Sequence, residues 1–201
     1  MRLLTRSDFD GLVCAVFLSE KKIVDEYKFV HPKDLQDGSV EVNSNDVLAN
    51  VPYHKNCGLW FDHHASEEER LEMEKLKFEG ASYYAASAAQ VIWDYYGGEA
   101  TFDNHFIPLL EAVNKTDSAN LSTDEIVDAR GWILLGFIMD PRTGLGRFTD
   151  YRISNYELML DLIGYCRSKT AEEIVMIPDI QERTRRYFEQ QELFEDMLQR
   201  N

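Results

Sequence analysis

Residues 58–64 read Gly58-Leu59-Trp60-Phe61-Asp62-His63-His64. Leu59, Trp60 and Phe61 suit a buried strand, and that strand runs straight into a carboxylate and two imidazoles. Three side chains able to hold a metal or a phosphate therefore fall at one sheet edge. The C-terminal edge is where open α/β sheets keep their ligands. Adjacent residues diverge, so the two imidazoles are expected to do different work, one toward a metal and one toward an anion. The pattern recurs near the N-terminus, where Leu3-Leu4-Thr5 leads into Arg6-Ser7-Asp8-Phe9-Asp10-Gly11. Asp8 and Asp10 lie on alternate residues, about 6–7 Å apart at Cα if the backbone stays extended. Two carboxylates that close repel unless a cation or a proton separates them.

Working outward, strands are expected over residues 2–6, 27–30, 47–49 and 59–61, with a helix over 11–22 after the first. Strands that alternate with helical stretches point to a parallel sheet built from βαβ units. Beyond residue 66 the chain reads as all-helical. Ser66 and Glu69 suggest a capping box. Helices are expected over 82–96, stopped by Gly97-Gly98, and over 104–114, 123–139, 154–166 and 171–176. Residues 178–200 read as one long helix with Pro178 in its first turn. Ile180, Thr184, Tyr187, Gln191, Phe194 and Leu198 form a narrow stripe along it. The stripe either packs on the domain or docks a second subunit or a further domain. The expected division is an α/β domain over 1–150 and a helical extension over 151–201.

The composition narrows the function classes. A net charge of −15 repels a nucleic-acid backbone, so duplex binding is not expected. Part of that excess is a solvated helix face carrying Glu67, Glu68, Glu69, Glu72 and Glu74. No run approaches the roughly 18 apolar residues of a membrane span. Met1-Arg2-Leu3 enters a strand directly, without an apolar leader. Cys14, Cys57 and Cys166 are widely spaced and odd in number, as expected of reduced thiols in a cytoplasmic protein.

A third element is Lys115-Thr116-Asp117-Ser118-Ala119, where a helix ends and Asp117 can reach back toward the sheet edge. Asp8-Phe9-Asp10-Gly11, Asp62-His63-His64 and this segment, in that order, resemble the DHH family of phosphoesterases. The branch most similar is the one labelled exopolyphosphatase-related, and the likeness covers residues 1–150. The resemblance implies a parallel sheet and a site that carries two ions of Mn²⁺, or Mg²⁺, Co²⁺ or Fe²⁺. Asp8, Asp10, His63 and Asp117 would be the metal ligands, and His64 the residue that faces phosphate.

Two positions depart from the family. Arg6 stands where many members have His. Asn50 follows the 47–49 strand, where the family usually supplies a bridging Asp. Asp46 precedes that strand and is expected at the far edge of the sheet, which makes it a poorer match than Asn50. The expected site is thus short of a second ion's ligands, with Arg6 as a partial electrostatic substitute.

Asp140-Pro141-Arg142-Thr143-Gly144-Leu145-Gly146-Arg147 is a basic loop in an acidic chain. Arginine fits phosphate bidentately, so Arg142 is expected to orient phosphate. Arg6, Asn50, His54 and Arg147 are expected to contact substrate, while His31 and His105 read as structural. The leading expectation is metal-dependent hydrolysis of a small phosphate ester or anhydride: polyphosphate, a short oligonucleotide or a nucleotide. The alternative is a degenerate domain that binds a phosphate ligand without catalysis. The glycine-rich motif of the family's second domain is absent from the sequence.

Overall fold

The computed structural model describes residues 1–75 and 77–199. Among the described residues, five parallel strands form one sheet: β1 (Arg2–Thr5), β2 (Glu26–Phe29), β3 (Asp46–Ala49), β4 (Leu59–Asp62) and β5 (Gly80–Ser82), in the order β2-β1-β3-β4-β5. Helices flank it, and the second half of the chain is helical, as the sequence predicts.

Side chains alternate across a strand, and here the alternation sorts two cores. Leu3, Val47 and Phe61 face the larger one; Leu4, Leu48 and Trp60 face the smaller, with Val30, Leu35, Val42 and Val51. In the larger core lies α1 (Phe9–Glu20), buried from Phe9 to Ser19 and apolar nearly all round, as a central helix must be. Gly11 lets α1 start against the loop after β1. A Cβ there would stand 2.0 Å from the Arg6 carbonyl oxygen.

Further helices close over α1: α4 (Ala88–Tyr95), α5 (Ile107–Asp117), α7 (Gly131–Met139) and α8 (Asn155–Ser168). Between them in sequence come α2 (Pro32–Gln36), α3 (Ala65–Glu74) and α6 (Thr123–Val127). Leu158, Met159, Leu162 and Cys166 of α8 sit in the same core as α1. At the N-terminal edge of the sheet, Arg2 Nε and Nη2 donate to Asp46 at 2.7 and 2.8 Å. Asp46 is therefore a structural carboxylate on the edge away from Asp62 and His63.

Four expectations are corrected. β5 is a strand within a region read as helical. Gly80-Ala81-Ser82 has no apolar run, and it pairs with β4 because Gly80 (φ +116°) passes the Trp60 carbonyl where a Cβ would lie 2.1 Å away. Helix α4 consequently begins only at Ala88, capped by Ser87, rather than at residue 82. Helix α3 has His64 at its N-cap position, without a side-chain capping bond, rather than Ser66. The 123–139 stretch is two helices, α6 and α7, broken over residues 128–130, where Ala129 turns into the core.

After α9 (Ala171–Val175), α10 runs Pro178–Gln199. Ile180 and Tyr187 of its stripe are buried in the chain's own core, while the side chains of Phe194 and Leu198 lie outside the described residues. Arg183, unmarked by the stripe, is 2% exposed. Its guanidinium donates to Ile153 O, Asn155 Oδ1 and Asp179 O and lies over the Tyr151 ring. No described helix is long and apolar enough to cross a membrane.

Candidate active site

His63 leaves the C-terminal end of β4. Its Nδ1 lies 3.1 Å from the Ala85 carbonyl oxygen, which only a protonated Nδ1 can satisfy. The lone pair of the neutral ring is then on Nε2. That nitrogen stands 3.2 Å from Asp117 Oδ2 and 3.7 Å from Asp10 Oδ2. One donor atom from each of Asp10, His63 and Asp117 falls within 4.8 Å of the others.

Asp10 is held as firmly. Asp10 is 2% exposed and accepts Ala88 N at 3.0 Å and Ala89 N at 2.9 Å, the first amides of α4. A helix N-terminus favours a carboxylate at this point. Asp117 ends α5. Ser87 Oγ donates to Asn114 Oδ1 at 2.6 Å and Asn114 Nδ2 to Gln90 Oε1 at 2.7 Å, which ties α5 to α4 and fixes Asp117 against Asp10.

The electrostatics are strained without a cation. Burial, and then the charges of Asp117 and Asp8, push the Asp10 carboxyl well above the usual carboxylate range. Burial also raises Asp117, against the opposing pull of His63. Two crowded carboxylates and an imidazole whose free nitrogen faces them are a donor set that fits a divalent cation. The bond to Ala85 is the kind of outer contact that orients an imidazole toward a metal.

Asp8 stands beside this cluster and is otherwise engaged. As N-cap of α1 its Oδ1 accepts Gly11 N at 2.8 Å and Asn50 Nδ2 at 3.2 Å, and its Oδ2 faces Arg6 Nε at 3.0 Å. Asn50 follows β3 in left-handed backbone (φ +56°), a conformation Asn tolerates better than most residues. Its Oδ1 is buried with no partner among the described residues.

His64 turns the other way from His63. Its Nδ1 is 3.0 Å from Asp62 Oδ1, and Asp62 is 1% exposed. That hydrogen bond raises the His64 pKa and favours its cationic form. The two rings remain 4.3 Å apart.

A cavity of about 410 Å³ opens over the cluster. Arg6, Asp8, Asp10 and Asp117 line its charged end, and Leu121, Ile126 and Phe137 its apolar end. A smaller cavity of about 180 Å³ lies on the other side of Arg6, against Asn50, Asp62 and His64.

Arg142 lines the larger cavity at its rim, but its Nε and Nη2 are taken by Asp140 at 2.9 and 2.5 Å. Arg147 donates to Gln190 and lies over Phe148, and it lines neither cavity. His54 accepts Asn56 N at 3.3 Å and lines neither cavity. His31 caps α2, and His105 pairs with Asp103.

Sequence reasoning missed the Ala85 carbonyl, the Ala88 and Ala89 amides, Asn114 and the positioning part of Asp62. Ser87 before an Ala-rich run was an N-cap signal that could have placed the α4 N-terminus. The backbone groups carry no signature of their own.

No protein-family model matches the chain, and no curated protein does. Among solved structures the chain is similar to PggH from Vibrio cholerae, a pGpG-specific phosphodiesterase, at 44% identity and a TM-score of 0.86. The match covers 99% of this chain and 63% of that one, so the chain spans somewhat under two thirds of that protein's length.

Proposed function

We propose that the chain is the catalytic domain of a metal-dependent phosphodiesterase of the DHH type. Its proposed substrate is a short linear dinucleotide such as pGpG, which the 44% identity to PggH favours over polyphosphate. The single observation that carries the reading is the Asp10–His63–Asp117 cluster, with the His63 lone pair aimed between the buried Asp10 carboxylate and the more exposed one of Asp117.

In this reading those three side chains hold one divalent cation. When bound, such a cation supplies Lewis-acid stabilisation of the charge that builds on phosphoryl oxygens. The protein does the rest. Asp62 favours the cationic form of His64 toward the phosphate. Leu121, Ile126 and Phe137 offer an apolar wall to a nucleobase. Arg142 sits at the mouth, where release from Asp140 would let it meet a second phosphate. A cytoplasmic setting accords with three free thiols at Cys14, Cys57 and Cys166.

The second reading, binding without turnover, is favoured by one observation: Asp8 is already matched with Arg6 and Asn50. A substrate panel separates the two. The chain with Mn²⁺, and again with EDTA, is incubated with pGpG, inorganic polyphosphate and a longer oligoribonucleotide, and products are resolved by anion-exchange chromatography. GMP released from pGpG only with metal is the expected result. Binding of pGpG without release of GMP would favour the second reading, and hydrolysis of polyphosphate alone would overturn the substrate assignment.

A further inference from the structure

Any anion that enters the larger cavity meets four carboxylates, Asp8, Asp10, Asp117 and Asp140. Something in its wall must supply positive charge toward a phosphodiester. Among the described residues that line it, the guanidinium groups are Arg6 and Arg142. Arg142 spends its Nε and Nη2 on Asp140, and its side chain is 83% exposed.

Arg6 is placed differently. Its Nε lies 3.0 Å from Asp8 Oδ2, and its terminal amino groups make no hydrogen bond among the described residues. Its side chain forms part of the wall of both cavities. The anchor beneath it is built from three directions. Asp8 Oδ1 is held by the Gly11 amide and by Asn50 Nδ2, which leaves Oδ2 directed at Arg6. Asn50 is in turn fixed by its left-handed backbone and by its own amide, which donates to Phe61 O at 3.1 Å. These bonds settle the amide orientation of Asn50, because the flipped group would set its oxygen against the Asp8 carboxylate.

We infer that Arg6 is the guanidinium that grips the substrate's phosphate between the two cavities, and that Asp8 and Asn50 are its positioning residues rather than parts of the metal site. This rests on the phosphodiesterase reading above. A guanidinium suits the task because its planar fork meets two phosphate oxygens at once, which lysine cannot do. Asp8 keeps both oxygens occupied by Gly11, Asn50 and Arg6, which removes it from the cation cluster.

The test uses the full chain with Arg6→Ala, Arg6→Lys, Asp8→Asn and Asp10→Asn. Asp8→Asn keeps a good N-cap on α1, so the fold is retained. Mn²⁺ affinity is read from the resonance signal of free Mn²⁺, and affinity for inorganic phosphate by calorimetry on the Mg²⁺-loaded protein. Asp8→Asn and Arg6→Ala are expected to bind Mn²⁺ as the native chain does, while Asp10→Asn loses it. Both should weaken phosphate by about tenfold or more, the scale of a lost charge-assisted contact. Arg6→Lys should recover part of that loss. On pGpG the effect of Asp8→Asn should fall on KM more than on kcat.

Loss of Mn²⁺ in Asp8→Asn equal to that in Asp10→Asn would overturn the assignment of Asp8. Unchanged phosphate affinity in Arg6→Ala would overturn that of Arg6. Were the native chain to hydrolyse no phosphodiester, the function proposed above would fall, and the two titrations would still decide the part played by Arg6.

Discussion

His63 Nδ1 and the Ala85 carbonyl oxygen lie 3.1 Å apart, and this contact aims His63 Nε2 at Asp117 and Asp10. His64, one residue on, is turned to Asp62 instead. His63→Ala is therefore expected to lower Mn²⁺ affinity by at least the roughly 10–100-fold that loss of an outer contact costs. His64→Ala should leave Mn²⁺ binding near that of the native chain and weaken phosphate. Equal loss of metal in both, read by Mn²⁺ titration, would refute the division.

The Asp62–His64 pair gives a pH prediction. The hydrogen bond to Asp62 raises the His64 pKa, so the ring stays cationic to higher pH than a free imidazole. Asp62→Asn should lower it, and the alkaline limb of phosphate binding should move to lower pH. Proton NMR of the His64 ring follows this directly. A His64 titration that does not move in Asp62→Asn would contradict the pairing.

Asp10 and Asp117 are both raised above the ordinary carboxylate range by burial. For a carboxyl raised in the folded state, the native protein holds its proton longer than the unfolded chain does. The stability it contributes is whole below the unfolded pKa of about 4 and is lost as pH rises through the folded value. The metal-free protein should thus weaken as pH climbs from about 4 toward neutrality, while a bound cation offsets the repulsion. The gap in Tm between Mn²⁺ and EDTA samples should widen over that window. A gap that narrows with rising pH would count against the cluster.

Gly11→Ala should be destabilising. Its Cβ would stand 2.0 Å from a backbone oxygen, that of Arg6, so the loop or α1 must shift. Overpacking of this kind costs about 1–3 kcal/mol. Urea unfolding checks the stability, and phosphate affinity should fall with it because Arg6 moves. Native stability in this variant would mean that the loop after β1 yields freely.

The sequence showed most of what periodicity and composition can carry. The apolar runs ending in Asp62 and Thr5 marked strands, and Asp8, Asp10 and His63 stood out as polar groups directly after strands, while Asp117, at a helix end, joined them only through the family resemblance. Asp46 was also readable as a residue of the far edge, since it precedes its strand. β5 was not legible, because Gly80-Ala81-Ser82 owes its strand to close passage beside Trp60 rather than to apolar side chains. The break between α6 and α7 was hidden in a continuous helical pattern. Pairing choices were beyond the sequence too: that Asp140 takes Arg142 and that Arg147 turns to Gln190 depend on which loops meet.

The position of a bound cation is the most direct test of the site. Crystals of the chain grown with Mn²⁺ and measured at the manganese absorption edge locate it without reference to activity. One strong anomalous peak is expected among Asp10, His63 and Asp117, with Arg6 still paired to Asp8. A peak coordinated by Asp8 with Arg6 displaced, or no peak at that cluster, would contradict this placement.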